Sequence, residues 1–95
     1  MVLERDFQAK VIRYLRSKGC FVRKMPQDAT TARGVADVFF CIEGFYGFIE
    51  CKKSKTAKLR PGQKEFIDKM NDWSWAKICY PENWDEIKKE LDKII

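Results

Sequence analysis

Asp37 stands at the head of Ala-Asp-Val-Phe-Phe-Cys-Ile, the most apolar stretch of the chain. Glu50 and Lys52 lie in Phe-Ile-Glu-Cys-Lys, two residues apart, so in a strand they project from the same face. Charged side chains in strands of this kind are rarely buried without partners. Two carboxylates brought together repel, and one takes up a proton unless a cation intervenes. A divalent cation removes that conflict, and an all-oxygen ligand set points to Mg²⁺, with Mn²⁺ as substitute. The same residues also allow a simpler arrangement, a buried ion pair of Lys52 with Glu50 or Asp37.

Two further polar residues fall on apolar faces. On a helical projection Glu4 lies about 100° from Leu3, between Val11 and Leu15, inside the stripe made by Leu3, Phe7, Val11 and Leu15. Its alternative role is that of an exposed first-turn acid favoured by the helix dipole. Gln63 shares a face with Phe66, Ile67 and Met70, and a buried amide needs polar partners. Its alternative is to cap nearby backbone at a helix start. Basic residues gather around these positions: Arg23, Lys24 and Arg33, then Lys53, Lys55, Lys58 and Arg60. Each alone reads as a solvated surface charge. As a group they could hold a nucleic-acid backbone.

Composition narrows the chemistry. The 95 residues contain no His, which excludes His-based triads, two-His zinc sites and a His general base. Cys20, Cys41, Cys51 and Cys79 are widely spaced and form no CxxC pair, so free thiols in a reducing, cytoplasmic setting are expected. Nineteen Lys+Arg against fourteen Asp+Glu leave a net charge of +5, which suits a polyanionic partner. Met1 leads directly into a charged amphipathic stretch, so no signal peptide is expected. No apolar run approaches the roughly 20 residues of a membrane span.

The elements that must position these groups form one domain over residues 1–95. Residues 2–18 read as a helix stopped by Gly19, and 21–25 as a short strand. Residues 26–35 read as a loop, 36–42 and 47–53 as strands joined through Glu43-Gly44-Phe45-Tyr46. A basic loop over 54–60 leads to a helix from Pro61 to Asp72, then a strand over 75–80. After Pro81 comes a last helix with Asn83 as N-cap and Glu86 three residues later. In it Trp84, Ile87, Leu91, Ile94 and Ile95 share a face, and it carries no chemistry. The hairpin makes strands two and three antiparallel, and the helix between strands three and four implies a right-handed crossover and a parallel pair. The expected fold class is α/β, αβββαβα, with a mixed four-stranded sheet flanked by helices.

Gly34-Val35-Ala36-Asp37, Phe48-Ile49-Glu50-Cys51-Lys52 and Leu59-Arg60-Pro61-Gly62-Gln63, in this order, resemble a PD-(D/E)XK nuclease. Within that superfamily the chain most resembles the VRR-NUC family in its minimal, stand-alone, phage type, over almost its whole length. Ala36 departs from the pattern, standing where many members have proline. The resemblance implies a restriction-endonuclease-like core and a Mg²⁺-dependent phosphodiesterase. It implies Asp37 and Glu50 as metal ligands together with the Cys51 carbonyl, and Lys52 orienting water or stabilising the transition state. Glu4 would serve a second metal or hold a metal-bound water, and Gln63 would position Lys52 or the nucleophilic water.

The expected activity is therefore a structure-selective DNA endonuclease, a four-way (Holliday) junction resolvase being the specific form. A broad-specificity or partner-targeted nuclease, or a non-catalytic nucleic-acid-binding module on the same fold, are the alternatives. A homodimer is expected, because a resolvase must cut two strands related by a two-fold axis. Phe45, Tyr46, Trp73 and Trp75 are the aromatics that suggest an interface. A phage-encoded chain would act in the host cytoplasm.

Overall fold

The first helix is set by an apolar residue every three or four positions. In the computed structural model, which describes residues 3–27 and 34–95, α1 (Glu4–Ser17) buries Phe7, Gln8, Val11 and Leu15 on one face. It is followed by β1 (Phe21–Lys24), β2 (Val38–Ile42) and β3 (Phe45–Cys51), then α2 (Gln63–Trp73), β4 (Ala76–Cys79) and α3 (Trp84–Asp92). This is the αβββαβα order expected. The described strands form one sheet in the order β1-β2-β3-β4. The first three are antiparallel and β3 pairs parallel with β4.

Alternation along β3 sends its side chains to two different layers. Ile49 and Cys51 join Val38, Phe40 and Cys79 in the larger core, under Val11 and Leu15 of α1 and Trp84, Ile87 and Leu91 of α3. Phe48 faces the other way, toward a smaller core of Ala36, Ile67 and Ala76 with Phe66 of α2 beside them. Val11, Leu15, Phe40, Ile49 and Leu91 are fully buried, and each such side chain contributes about 1.5–3 kcal/mol by leaving water. Glu50, one residue after Ile49, therefore shares the α2 side of the sheet with Phe48.

Several local readings need correction. The hairpin turn is the two residues Glu43 and Gly44, so Phe45 and Tyr46 are already paired, opposite Ile42 and Cys41. β3 ends at Cys51, and Lys52 lies just past it, its N–H still bonded to the Cys79 carbonyl at 2.8 Å. Asp37 likewise precedes its strand. Asn83 is the N-cap residue of α3, yet its side chain turns backward: Oδ1 accepts from Tyr80 N–H (2.9 Å) and Nδ2 donates to the Ile78 carbonyl (3.1 Å). It ties the end of β4 to the helix start instead of capping the helix. Ile94 falls past the end of α3 and is exposed. Trp75 is buried, with its indole N–H donating to Glu90 Oε1 at 2.7 Å. Its ring packs edge-on against Phe40, so it serves the core of one chain, while Trp73 is 65% exposed. No helix among the described residues is long and apolar enough to cross a membrane.

Candidate active site

Backbone pairing brings Asp37 to Glu50. One step beyond the Val38–Ile49 pair, the register sets these two residues opposite each other. The Asp37 N–H donates to Glu50 Oε1 (3.1 Å), and Asp37 Oδ2 accepts from the Cys51 N–H (3.1 Å). The Asp37 carbonyl accepts from Met25 N–H at 2.7 Å, anchoring the residue to the end of β1 as well. Position 37 is thus held from both sides of its strand.

A close backbone approach brings the start of α2 to the same place. Gly34 and Gly62 both have positive φ, +82° and +85°. A Cβ on Gly34 would collide with the Gly62 carbonyl group and lie 3.0 Å from Gln63 N. Only glycine at 34 lets the segment before Asp37 pack against the turn that opens α2. Gln63, the first residue of that helix, is completely buried. Its Oε1 accepts from the Arg60 N–H at 2.7 Å, the backbone-capping role foreseen as its alternative. Its Nε2 is the buried side-chain nitrogen left without a hydrogen-bond partner among the described residues.

Three charged groups meet at this point with little water. Glu50 is 1% exposed, Lys52 7% and Asp37 8%. Lys52 Nζ lies 3.2 Å from Glu50 Oε2. Arg60 comes in from the loop before α2, its Nη2 3.8 Å from Asp37 Oδ1 and 3.9 Å from Glu50 Oε1. Gln27 steadies it, accepting from Arg60 Nη1 at 2.5 Å and donating from its own Nε2 to the Val35 carbonyl at 3.3 Å. Burial raises the Glu50 carboxyl from 4.5 to about 7, and the neighbouring Asp37 charge adds to the rise; Lys52 and Arg60 only partly offset it.

Burial pushes the Cys51 thiol far up, followed by the effects of Cys79 and of the Asp37, Glu50 and Glu4 charges. Cys51 is therefore a neutral thiol in the metal-free protein, and its side chain lies in the larger core, on the face of the sheet opposite Glu50. The same coupling puts the Glu4 charge within electrostatic reach of the end of β3. Glu4 itself is exposed at the first turn of α1 and makes no ion pair or side-chain hydrogen bond among the described residues. Asp37, Glu50 and Lys52 thus converge, Gln63 is bonded to the backbone of Arg60, whose side chain faces them, and Glu4 stands at the margin.

The basic residues are more scattered. Arg23 and Lys24 are exposed on β1, and Lys53, Lys55 and Lys58 are exposed after β3. Arg33 lies outside the described residues. Beside Lys52 opens a cleft of about 360 Å³ lined by Ser54, Lys55, Leu59, Ile78 and Tyr80. Two residues were not singled out from sequence. Gln8 is buried on α1, and its projection beside Leu15, about 140° from Leu3, was a readable signal. Gln27 sits in a loop, where no periodicity exists to mark it.

The donor set fits a hard divalent cation. Asp37 Oδ1 and Glu50 Oε1 converge on one nitrogen of a positively charged group, and no imidazole or thiolate competes. Among the described residues no cluster of three His, Cys, Asp or Glu side chains forms a metal site. Asp37 and Glu50 would supply two side-chain ligands, and backbone, water or substrate oxygens would have to supply the rest. No family model, curated protein or solved structure matches this chain.

Proposed function

We propose that the protein is a Mg²⁺-dependent, structure-selective DNA endonuclease of the PD-(D/E)XK type, acting on branched DNA such as a four-way junction and working as a homodimer. The observation that carries this reading is the convergence of two buried carboxylates, Asp37 and Glu50, with Lys52 at one end of the sheet. The αβββαβα order supports it, because it is the layout the sequence resemblance implies. The choice of DNA and of a junction rests on that resemblance and on the net charge of +5.

Asp37 and Glu50 would hold Mg²⁺, or Mn²⁺ in its place, with the Cys51 carbonyl as the backbone ligand. Bound there, the ion would polarise the scissile phosphate and lower the pKa of a bound water. Lys52 donates toward charge that builds on the phosphate oxygens, from a side chain already held against Glu50 and shielded from solvent. Gln63 keeps the start of α2 closed over the site through its bond to Arg60 N–H and has an amide nitrogen free among the described residues to orient Lys52 or the attacking water. Glu4 would hold a metal-bound water or a second ion. The cleft beside Lys52, lined by Ser54, Lys55 and Tyr80, would be where the strand next to the scissile bond lies.

One observation favours a plainer reading. The Lys52–Glu50 contact of 3.2 Å is a buried ion pair that could serve the fold alone. A magnesium titration with branched, flapped and linear duplexes separates the two. Cleavage that appears with Mg²⁺ or Mn²⁺, is poor with Ca²⁺ and is strongest on branched substrates is the expected result. Full activity in excess EDTA overturns the metal mechanism, and equal rates on all three substrates replace structure selectivity by broad specificity.

A further inference from the structure

Among the described residues, Arg60 is the cation within 4 Å of both buried carboxylates. From sequence it belongs with the surface charges that grip phosphate, yet its guanidinium is turned toward Asp37 Oδ1 and Glu50 Oε1. We propose that Arg60 is an internal stand-in for the metal: it neutralises the two carboxylates while the ion is absent, gives way when the ion binds, and then turns to the substrate phosphate. The proposal rests on the metal-dependent reading above.

Three features argue for an exchangeable contact. First, Nη2 stands 3.8 and 3.9 Å from the two oxygens, beyond hydrogen-bond length, so the attraction is electrostatic and no bidentate lock must break. Second, the Arg60 side chain is 45% exposed while Glu50 is 1% exposed. The guanidinium can swing into water at low cost, whereas the carboxylates cannot leave. Third, the backbone of Arg60 is fixed by the bond from its N–H to Gln63 Oε1, so the side chain pivots about a defined point beside the site. Gln27 is the hydrogen-bonding partner that steadies the inward position, and it too is exposed.

Electrostatics then sets the order of events. A divalent ion between Asp37 and Glu50 repels the guanidinium that occupied the same field, and the nearest unpaired anion is the phosphate being cut. Arg60 would thus lower metal affinity in the free protein and couple metal loading to the hold on DNA.

The test is calorimetric titration of Mn²⁺ into chelator-stripped protein without DNA, for the wild type, Arg60→Gln and Gln27→Ala. Removing a competing cation with two ion contacts should tighten Mn²⁺ binding about tenfold in Arg60→Gln. Gln27→Ala, at an exposed loop position that leaves all charges in place, should shift affinity in the same direction by less. A second readout is DNA affinity in EDTA against Ca²⁺: Ca²⁺ should strengthen binding by the wild type and do so less in Arg60→Gln. Equal or weaker Mn²⁺ binding in both variants overturns the stand-in role, and an undiminished Ca²⁺ effect overturns the turn to phosphate. If Mn²⁺ binds none of the three proteins, the metal site itself is refuted along with Arg60's part in it.

Discussion

Glu50→Gln separates a site built for a cation from a pair built for stability. The carboxyl is raised from 4.5 to about 7, burial being the largest cause and Asp37 the next. At about 1.4 kcal/mol per tenfold change in proton affinity, that rise corresponds to about 3 kcal/mol. The folded chain binds this proton more tightly than the unfolded chain does. Stability from Glu50 is therefore fully present below about pH 4.5 and is lost as pH climbs through about 7. A glutamine mimics the protonated acid in shape and charge. In chelator-treated protein, Glu50→Gln should match the wild type near pH 4 and exceed it by about 3 kcal/mol near pH 8. For a domain of this size the melting temperature would rise by roughly 10–25 °C. The assay is thermal unfolding followed by circular dichroism across this pH range, with EDTA and again with Mg²⁺. Mg²⁺ at about a hundred times its dissociation constant should add about 2.7 kcal/mol to the wild type and little to the variant. The ion-pair reading makes the opposite forecast: removing one partner of a buried pair costs about 3–5 kcal/mol. A variant less stable than the wild type at pH 8, with no response of either protein to Mg²⁺, would refute the reasoning.

Three other outcomes are expected. Lys52→Ala should lower the single-turnover cleavage rate at least about a hundredfold at saturating Mn²⁺, so the loss lies in the chemical step and not in metal loading, which titration calorimetry follows separately. DNA binding measured in Ca²⁺ should fall with salt at a slope of about −5 on logarithmic axes if roughly six phosphates are contacted, and Lys55→Glu or Lys58→Glu should flatten it; a slope near zero removes these lysines from the interface. Sedimentation equilibrium at micromolar protein should give twice the 11.2 kDa chain mass, and a monomer that still resolves junctions would contradict the dimer.

The order of elements was legible because several carry their own period: apolar residues at helical spacing in α1 and α3, and largely apolar runs in β2 and β3. Asp37, Glu50, Lys52 and Gln63 stood out for the same reason, being polar residues inside apolar patterns. The meeting of Asp37 with Glu50 and Lys52 also followed from order, since a hairpin must place the start of one strand beside the end of the next. The sequence could not say which of two partners each would take. Lys52 against Glu50, Gln63 against the Arg60 backbone and the inward turn of Arg60 are settled by distances between segments far apart in the chain. Gln27 left no trace in any pattern, because a loop residue's role depends on what the fold brings to it. Trp75 misled for the matching reason. A tryptophan beside a loop reads as exposed until a helix from the far end of the chain offers Glu90 to its indole nitrogen. Local periodicity specifies which side chains must leave water, whereas tertiary packing alone decides which charges they meet when they do.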